Sequence, residues 1–375
     1  MTKTAITLSR LYTFPVKSMK GVRLSQSYAG DTGLSFDRNF MITDEDGKFL
    51  TARRYPQMVL FTPALLNNGI YLRSPDGSSA TILYDDFLPE SLACEVWGNH
   101  FTSLIAPEKI NQWLCQFFDI SVQLRWLSPH STRRVKLSPD SPVSFADGYP
   151  YLIVNKASFQ ALQKRCSAAI KIEQFRGNII VTGADAFAED SWKVIQIGDV
   201  IFDLKKPCSR CIFTTISTDK GEKHPQMEPL HTLQTFRTAA DKNDVDFGMN
   251  AIARNTGIIQ VGDTVTVLET CPPRQYQEQK IESVQPVTAQ PQAMLTMTFN
   301  DKEYAVNNQH VLLEQLEAHQ VSIPYSCRAG VCGSCRVTLL SGEVTPLKAG
   351  AIKRNGDILA CSCIPKTNIT IRHGK

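Results

Sequence analysis

"PYSCRAGVCGSCRV", Pro324 to Val337, decides how the chain is to be read, because it packs Cys327, Cys332 and Cys335 into nine residues. Their spacing is C-x4-C-x2-C, and Cys361 follows after 25 further residues. With that spacing four thiolates hold the two bridged irons of a plant-type [2Fe-2S] cluster. Zinc is usually gripped by C-x2-C pairs on hairpins, so a leading four-residue loop rich in glycine fits it poorly. The loop must wrap the cluster with backbone N–H groups aimed at sulfur, and Gly330 and Gly333 let the chain approach with no Cβ in the way. Cys363 lies two residues beyond Cys361. Residues two apart on a strand face one side, so strand geometry does not choose between them.

Around this stretch, "MLTMTF", "KEYAV", "RVTLLSG" and "NITIR" predict strands, and "HVLLEQLEAH" predicts one helix. The succession resembles a β-grasp ferredoxin domain over residues 294–375. That resemblance favours Cys361, directly after Leu359-Ala360, as the fourth ligand and makes Cys363 a small buried residue. Residues 294–375 carry nine Lys and Arg against six Asp and Glu, a balance of +3, so an acidic electron donor such as the FMN domain of a reductase is expected. The Pro- and Gln-rich segment "CPPRQYQEQKIESVQPVTAQPQA" buries little surface and reads as a linker, 271–293.

The whole chain has 375 residues, room for two or three domains. Its 42% hydrophobic and 20% charged composition is that of an ordinary globular protein, and a net charge of +4 makes no case for nucleic acid or a membrane surface. No apolar run nears the roughly 20 residues of a membrane span. The absence of acidic residues before Asp31 also occurs in transit peptides, but the alternation of "AITLSRLYTFPVKSMKG" suits a folded strand, and no secretory h-region follows the N-terminus. A cytoplasmic protein is expected. Cys94, Cys115, Cys166 and Cys271 are scattered; clustering of the other cysteines points to metal or catalysis rather than disulfides.

Upstream of the linker the pattern is mainly β. Hairpins are predicted at Asp46-Gly47 and Asp76-Gly77, and the repeated Ile-Gln-(Ile/Val)-Gly-Asp around Gly198 and Gly262 reads as one hairpin corner used twice in a barrel. Helices are predicted at "EKINQWLCQFF" and "NKASFQALQKRC". The second cysteine group, Cys208 and Cys211 in "KKPCSRCIFTTIS", lies beside Lys205, Lys206 and Arg210, cations that favour thiolate over thiol. By itself C-x2-C fits half a zinc site, a redox pair or two structural cysteines.

"PVKSMKG", "DRNFMI" followed by "TARRYPQ", "FRGNIIV", "CSRCIFTT" and "GIIQVGDTV", in that order, resemble the MOSC superfamily in its two-part form. This is the architecture of the mitochondrial amidoxime-reducing component, and the C-terminal ferredoxin module makes it similar to the bacterial YcbX type. The resemblance implies a MOSC N-terminal β-barrel over 1–120 and a MOSC β-barrel domain over 121–270, with the β-grasp [2Fe-2S] domain at 294–375. It implies a molybdenum cofactor, molybdopterin, whose metal takes the thiolate of Cys211, with Cys208 structural. It maps cofactor contacts onto Lys17, Ser18, Arg38, Arg176, Asn178, Ser209 and Arg210. Relatives have Lys-Ser-Cys-Lys where this chain has Lys17-Ser18-Met19-Lys20, which removes a thiol and leaves the phosphate contacts. Arg forks suit phosphate oxygens, and Asn178 has both a donor and an acceptor for pterin heteroatoms. Asp147 in "FADGYPYLIV" either orients substrate or pterin or shapes the Asp147-Gly148 turn; Arg53 is a further pocket residue.

The implied activity is reduction of N-hydroxylated small molecules, such as base analogues, hydroxylamines or amidoximes, with electrons passing from an NAD(P)H-dependent flavoprotein reductase through the in-chain cluster. No G-x-G-x-x-G or flavin motif is present, so the donor is a separate protein. Two other readings remain: a sulfur carrier with a persulfide on Cys211, and a redox adaptor with no substrate chemistry of its own.

Overall fold

The computed structural model describes residues 5–127, 131, 133–241, 244–278, 293–308, 310–319, 321–325, 330, 333–347, 350–353 and 356–373. The expected mainly-β architecture is the one observed. The chain divides into two compact units, one of Met1–Cys208, Phe213–Thr232 and Phe247–Arg274, the other of Ser209–Ile212, Leu233–Asp246 and Gln275–Lys375.

The first unit is built on an eight-stranded sheet, ordered Val22–Leu24, Thr7–Thr13, Ile179–Thr182, Tyr151–Asn155, Asp246–Ala253, Val200–Ser209, Trp192–Ile197 and Val265–Thr270. Leu8 and Leu11, three apart, both enter its core because a register shift between Leu8 and Arg10 adds a residue to the strand. The opening strand thus pairs with Ile179–Thr182 deep in the sequence, in antiparallel register with Leu11 opposite Ile179, while Tyr151–Asn155 runs parallel to that same strand. These directions send three segments out at one end of the sheet: "PVKSMKG" after Thr13, "FADGYP" before Tyr151 and "FRGN" before Ile179.

A second core surrounds Phe40, Ile42, Met58, Phe61, Ile70 and Leu124, enclosed by a four-stranded sheet (Phe40–Thr43, Gln123–Trp126, Asn99–Ile105, Leu92–Val96) and the meander Thr62–Leu66, Gly69–Arg73, Ser79–Leu83. Helix Glu108–Cys115 buries Ile110 and Leu114, one turn apart, as its spacing predicted. Lys156–Arg165 is also helical, capped by Asn155, whose side-chain oxygen accepts from Ala157 N at 3.0 Å.

One reading needs correction. Around Gly198 there is a two-residue hairpin, with Ile197 opposite Val200. The similar sequence at Gly262 is no hairpin: it joins Gly257–Gln260, paired with Gln26–Gly30, to Val265–Thr270, paired with Trp192–Ile197. The local turn chemistry is shared, but tertiary pairing sends the two strands after Gly262 and before it to different sheets.

In the second unit, a five-stranded sheet runs Lys302–Asn307, Met294–Phe299, Ile369–His373, Arg336–Ser341, Asp357–Leu359. Helix Leu312–Ala318 buries Leu312, Leu313 and Leu316 against it. Tyr276–Gln277, read as the start of a linker, is a short strand paired with Thr238–Ala239; 279–292 lies outside the described residues. Among the described residues no helix is long and apolar enough to cross a membrane.

Candidate functional site: a cationic cradle and a thiol pair

The three segments that leave one end of the large sheet bring Lys17, Ser18, Asp147, Arg176 and Asn178 together, and the chain before Phe40 adds Arg38. Lys17 is fixed at its backbone, its N–H donating to Phe40 O at 2.7 Å. Its side chain is buried, donating to Phe145 O at 2.9 Å and to Asp147 Oδ1. Burial pushes the Lys17 ammonium down to about 8, against the pull of Asp147, with Arg133 and Arg53 lowering it further.

Asp147 is held by three donors. Lys17 and Trp97 Nε1 (3.1 Å) share Oδ1, and Arg53 Nη2 donates to Oδ2 at 3.1 Å. Loss of surrounding water would raise this carboxyl, but Lys17, Arg53 and Trp97 outweigh it and hold it well below the usual carboxylate range. The side chain keeps 53% of its surface open, so the flanking cations, more than burial, decide its state. Asp147 is therefore a fixed anion at neutral pH and no proton acceptor. Arg133, which sequence reasoning missed, clamps the segment from behind, donating from Nη1 to Ala146 O at 2.7 Å and to Ser144 O.

Asp37 is the other hub. Its buried carboxylate accepts from Phe14 N (2.9 Å), Asn178 Nδ2 (2.9 Å) and Arg38 Nη1 (2.5 Å). Asn178 also donates to Tyr12 O at 3.2 Å, and its oxygen accepts from Arg38 Nη1 at 3.1 Å and Leu152 N at 3.2 Å. Every hydrogen-bonding position of that amide is taken within the protein. In this structure the amide braces Arg38 and Asp37. The Arg38 and Arg176 guanidinium groups lie over the Phe14 ring at 4.5 and 4.1 Å. Gly21, closing "PVKSMKG", makes room for that ring, since a Cβ there would sit 2.5 Å from it. Met19 buries its side chain and offers its carbonyl to Arg176 Nη1 at 2.6 Å.

Ser18, Arg38 and Arg176 all have left-handed backbone, φ 69°, 50° and 54°. Such conformations cost on the order of 1–3 kcal/mol each in non-glycine residues and gather where side chains are aimed at a ligand. Arg176 Nη2 is buried and without a hydrogen-bond partner among the described residues. Burial and Arg38 push its guanidinium down to about 9, still charged at neutral pH. Among the described residues Lys17, Arg38, Arg53, Arg133 and Arg176 thus outnumber Asp37 and Asp147, and the surplus of fixed cations suits a bound anion.

Phe213, two residues after Cys211, lies 5.2 Å from the Arg176 guanidinium. Cys211 is half-buried and directly precedes the turn Ile212–Thr215; Cys208 is half-buried as well. In the second unit Arg210 is buried, its N–H donating to Val245 O at 2.6 Å, and Ser209 Oγ donates to Asp244 Oδ1 at 3.3 Å.

Cys327 and Cys332 lie outside the described residues. Cys335 and Cys361 are buried with their sulfurs hydrogen-bonded, and Cys335 together with burial raises the Cys361 thiol. Gly330 N–H donates to Cys361 Sγ at 3.2 Å, and Gly330 and Gly333 have φ 69° and 75°, positions that favour glycine. Cys361 and Cys363 do not lie on one strand. The turn Ala360–Ser362 breaks the strand between them, and Cys363 Sγ instead meets Ala351 O at 3.8 Å. Burial pushes that thiol up to about 12.

Three family models match in chain order: the MOSC N-terminal beta barrel domain over 5–121, the MOSC domain over 140–266 and the 2Fe-2S iron-sulfur cluster binding domain over 297–366. Mitochondrial amidoxime-reducing component 1 of Mus musculus is 30% identical over 286 residues, 70% of this chain and 82% of its own. The Homo sapiens component 1 is 31% identical, covering 70% of this chain and 83% of its own. Homo sapiens component 2 is 32% identical, with 69% and 82% covered. The chain belongs to the MOSC family of the amidoxime-reducing components, in a form that carries a 2Fe-2S domain after the MOSC domain.

Proposed function

We propose that the protein is a molybdenum-cofactor-dependent reductase of N-hydroxylated compounds, including hydroxylamines, amidoximes and base analogues, fed by electrons through its own [2Fe-2S] cluster. The observation that carries this reading is the cationic cradle, in which Arg176 Nη2 is a buried donor without a hydrogen-bond partner among the described residues and fixed cations exceed carboxylates. A cofactor phosphate supplies the anion such a site lacks. Membership in the amidoxime-reducing family supports the reaction class.

In this reading Lys17, Ser18, Arg38 and Arg176 hold the cofactor, with Ser209 and Arg210 as further contacts and Cys211 giving its thiolate to the metal. When bound, the molybdenum cofactor supplies the two-electron exchange that turns R-NH-OH, two electrons and two protons into R-NH2 and water. Asn178 and Asp37 keep Arg38 aimed, and Phe14 keeps Arg38 and Arg176 flat. Asp147, ionised and pinned, offers carboxylate lone pairs to substrate N–H groups. Lys17, near its proton-exchange range, is the buried ammonium closest to that carboxylate. Cys327, Cys332, Cys335 and Cys361 hold the cluster. The reading includes a cytoplasmic location, a separate NAD(P)H-dependent flavoprotein donor, and no membrane or nucleic-acid partner.

The test is elemental analysis with turnover. Protein made with both metals in supply should hold about one molybdenum and about two irons per chain and reduce a hydroxylamine when given a reduced flavoprotein. Cys211→Ala should lose turnover and keep the iron absorbance. Iron-loaded protein with no molybdenum in any preparation would overturn the reading.

A further inference from the structure

Trp97 belongs to no motif noted in the sequence. It sits with Gly98 at the tip of the hairpin Leu92–Val96 and Asn99–Ile105, where Val96 pairs with Asn99. Both tip residues have positive φ, 55° and 73°, a turn whose first position usually holds Asn, Asp or Gly. A bulky aromatic held in that backbone calls for a reason on its side-chain end. The indole reaches across to Asp147, donating from Nε1 at 3.1 Å, with Arg53 stacked 4.8 Å from its ring and Phe49 meeting it edge-on at 4.9 Å. It remains 37% exposed, so the ring is anchored yet open to solvent at the rim of the cationic cradle.

We propose that Trp97 and Asp147 form a recognition wall for planar, conjugated N-hydroxylated substrates, the indole by stacking and the carboxylate by accepting a substrate N–H. This rests on the reductase reading above and adds the residue that sets which substrates are preferred. Asp147 suits the part because its three donors fix both oxygens while more than half of its side-chain surface stays open. A carboxylate has about four lone-pair sites, so one acceptor position remains for an incoming donor. Amidoximes and N-hydroxylated bases combine a π face with an adjacent N–H; a small alkyl hydroxylamine has no π face to stack.

The experiment compares benzamidoxime with N-methylhydroxylamine in the full chain, wild type against Trp97→Leu and Trp97→Phe. In Trp97→Leu, kcat/KM for benzamidoxime should fall about tenfold, mostly through KM, while N-methylhydroxylamine stays within about twofold. Trp97→Phe keeps a ring and should recover most of the loss. An equal loss on both substrates, or none on benzamidoxime, overturns the wall. A second readout needs no turnover: benzamidoxime should quench the indole fluorescence of the wild type, and Trp97→Phe should abolish that quenching. Quenching that persists in Trp97→Phe also overturns it. Wild-type protein that is quenched yet reduces neither compound counts against the reductase reading and leaves the wall standing.

Discussion

The cationic cradle and the cysteine loop both bury ionisable groups, and they settle the cost in opposite ways. In the cradle the charges answer one another: Asp147 takes Lys17, Arg53 and Trp97, and Asp37 takes Arg38, Asn178 and the Phe14 N–H. At the cysteine loop, Cys361 faces Cys335, and that contact together with burial keeps a proton on sulfur. The first site is organised by the protein alone. If Cys335 and Cys361 ligate the cluster as proposed, the second reaches its charged form through the metal that replaces those protons.

The sharpest way to break this contrast is to remove one thiol. Cys361→Ser should lose the iron absorbance and abolish electron delivery, whereas Cys363→Ser should keep the iron and cost about 1 kcal/mol, since Cys363 Sγ makes hydrogen bonds only to backbone among its described contacts, with Ala351 O and Leu359, in a buried position. Loss of iron in Cys363→Ser would reverse the assignment. Next in size, Asp37→Ala leaves Arg38 without its buried carboxylate and should destabilise the fold by about 3–5 kcal/mol in denaturant titration, with the iron absorbance unaffected before unfolding. Gly21→Ala should cost about 1–3 kcal/mol by forcing a Cβ toward Phe14, with weaker anion binding as the two guanidinium groups shift.

A further expected effect concerns pH. The Lys17 ammonium, ordinarily near 10.5, is pushed down to about 8 by burial. Between those values the unfolded chain binds the extra proton, so stability should rise with pH from about 8 toward 10.5. Binding of inorganic phosphate to cofactor-free protein should weaken over the same rise, as the cradle loses a charge. In Lys17→Met both slopes should become shallower between about pH 8 and 9, above which the Arg176 guanidinium, pushed down to about 9, acts in the same direction; calorimetry and phosphate titration at stepped pH would show this.

Much of this was legible in local patterns. Strand alternation marked Thr7–Thr13 and the ferredoxin-like strands, and three-to-four spacing marked Glu108–Cys115 and Lys156–Arg165. Motif order brought Lys17, Arg38 and Arg176 to one place. Asp37 stood inside "DRNF" beside the residue that was chosen, but its role depends on Phe14 and Asn178, 23 and 141 residues away. Arg133 acts on carbonyls 11 and 13 residues on and Trp97 on a carboxylate 50 residues away, and the one local hint for Trp97 was a bulky residue before glycine at a tight turn. Helix Leu230–Phe236 was missed because it is short and buries polar Thr232 and Gln234 beside Leu230 and Leu233. Strand periodicity could not separate Cys361 from Cys363 because a period of two assumes an unbroken strand, and Ala360–Ser362 interrupts it.

The pairing of Thr7–Thr13 with Ile179–Thr182 has a consequence for how the protein is made. One edge of Thr7–Thr13 finds Val22–Leu24 close by, but the other has to wait for a partner about 170 residues behind it, which at 5–20 residues per second is roughly 10 to 30 seconds of translation. A fragment ending near residue 120 keeps that edge bare, so split or truncated versions should aggregate unless the later half is supplied in time.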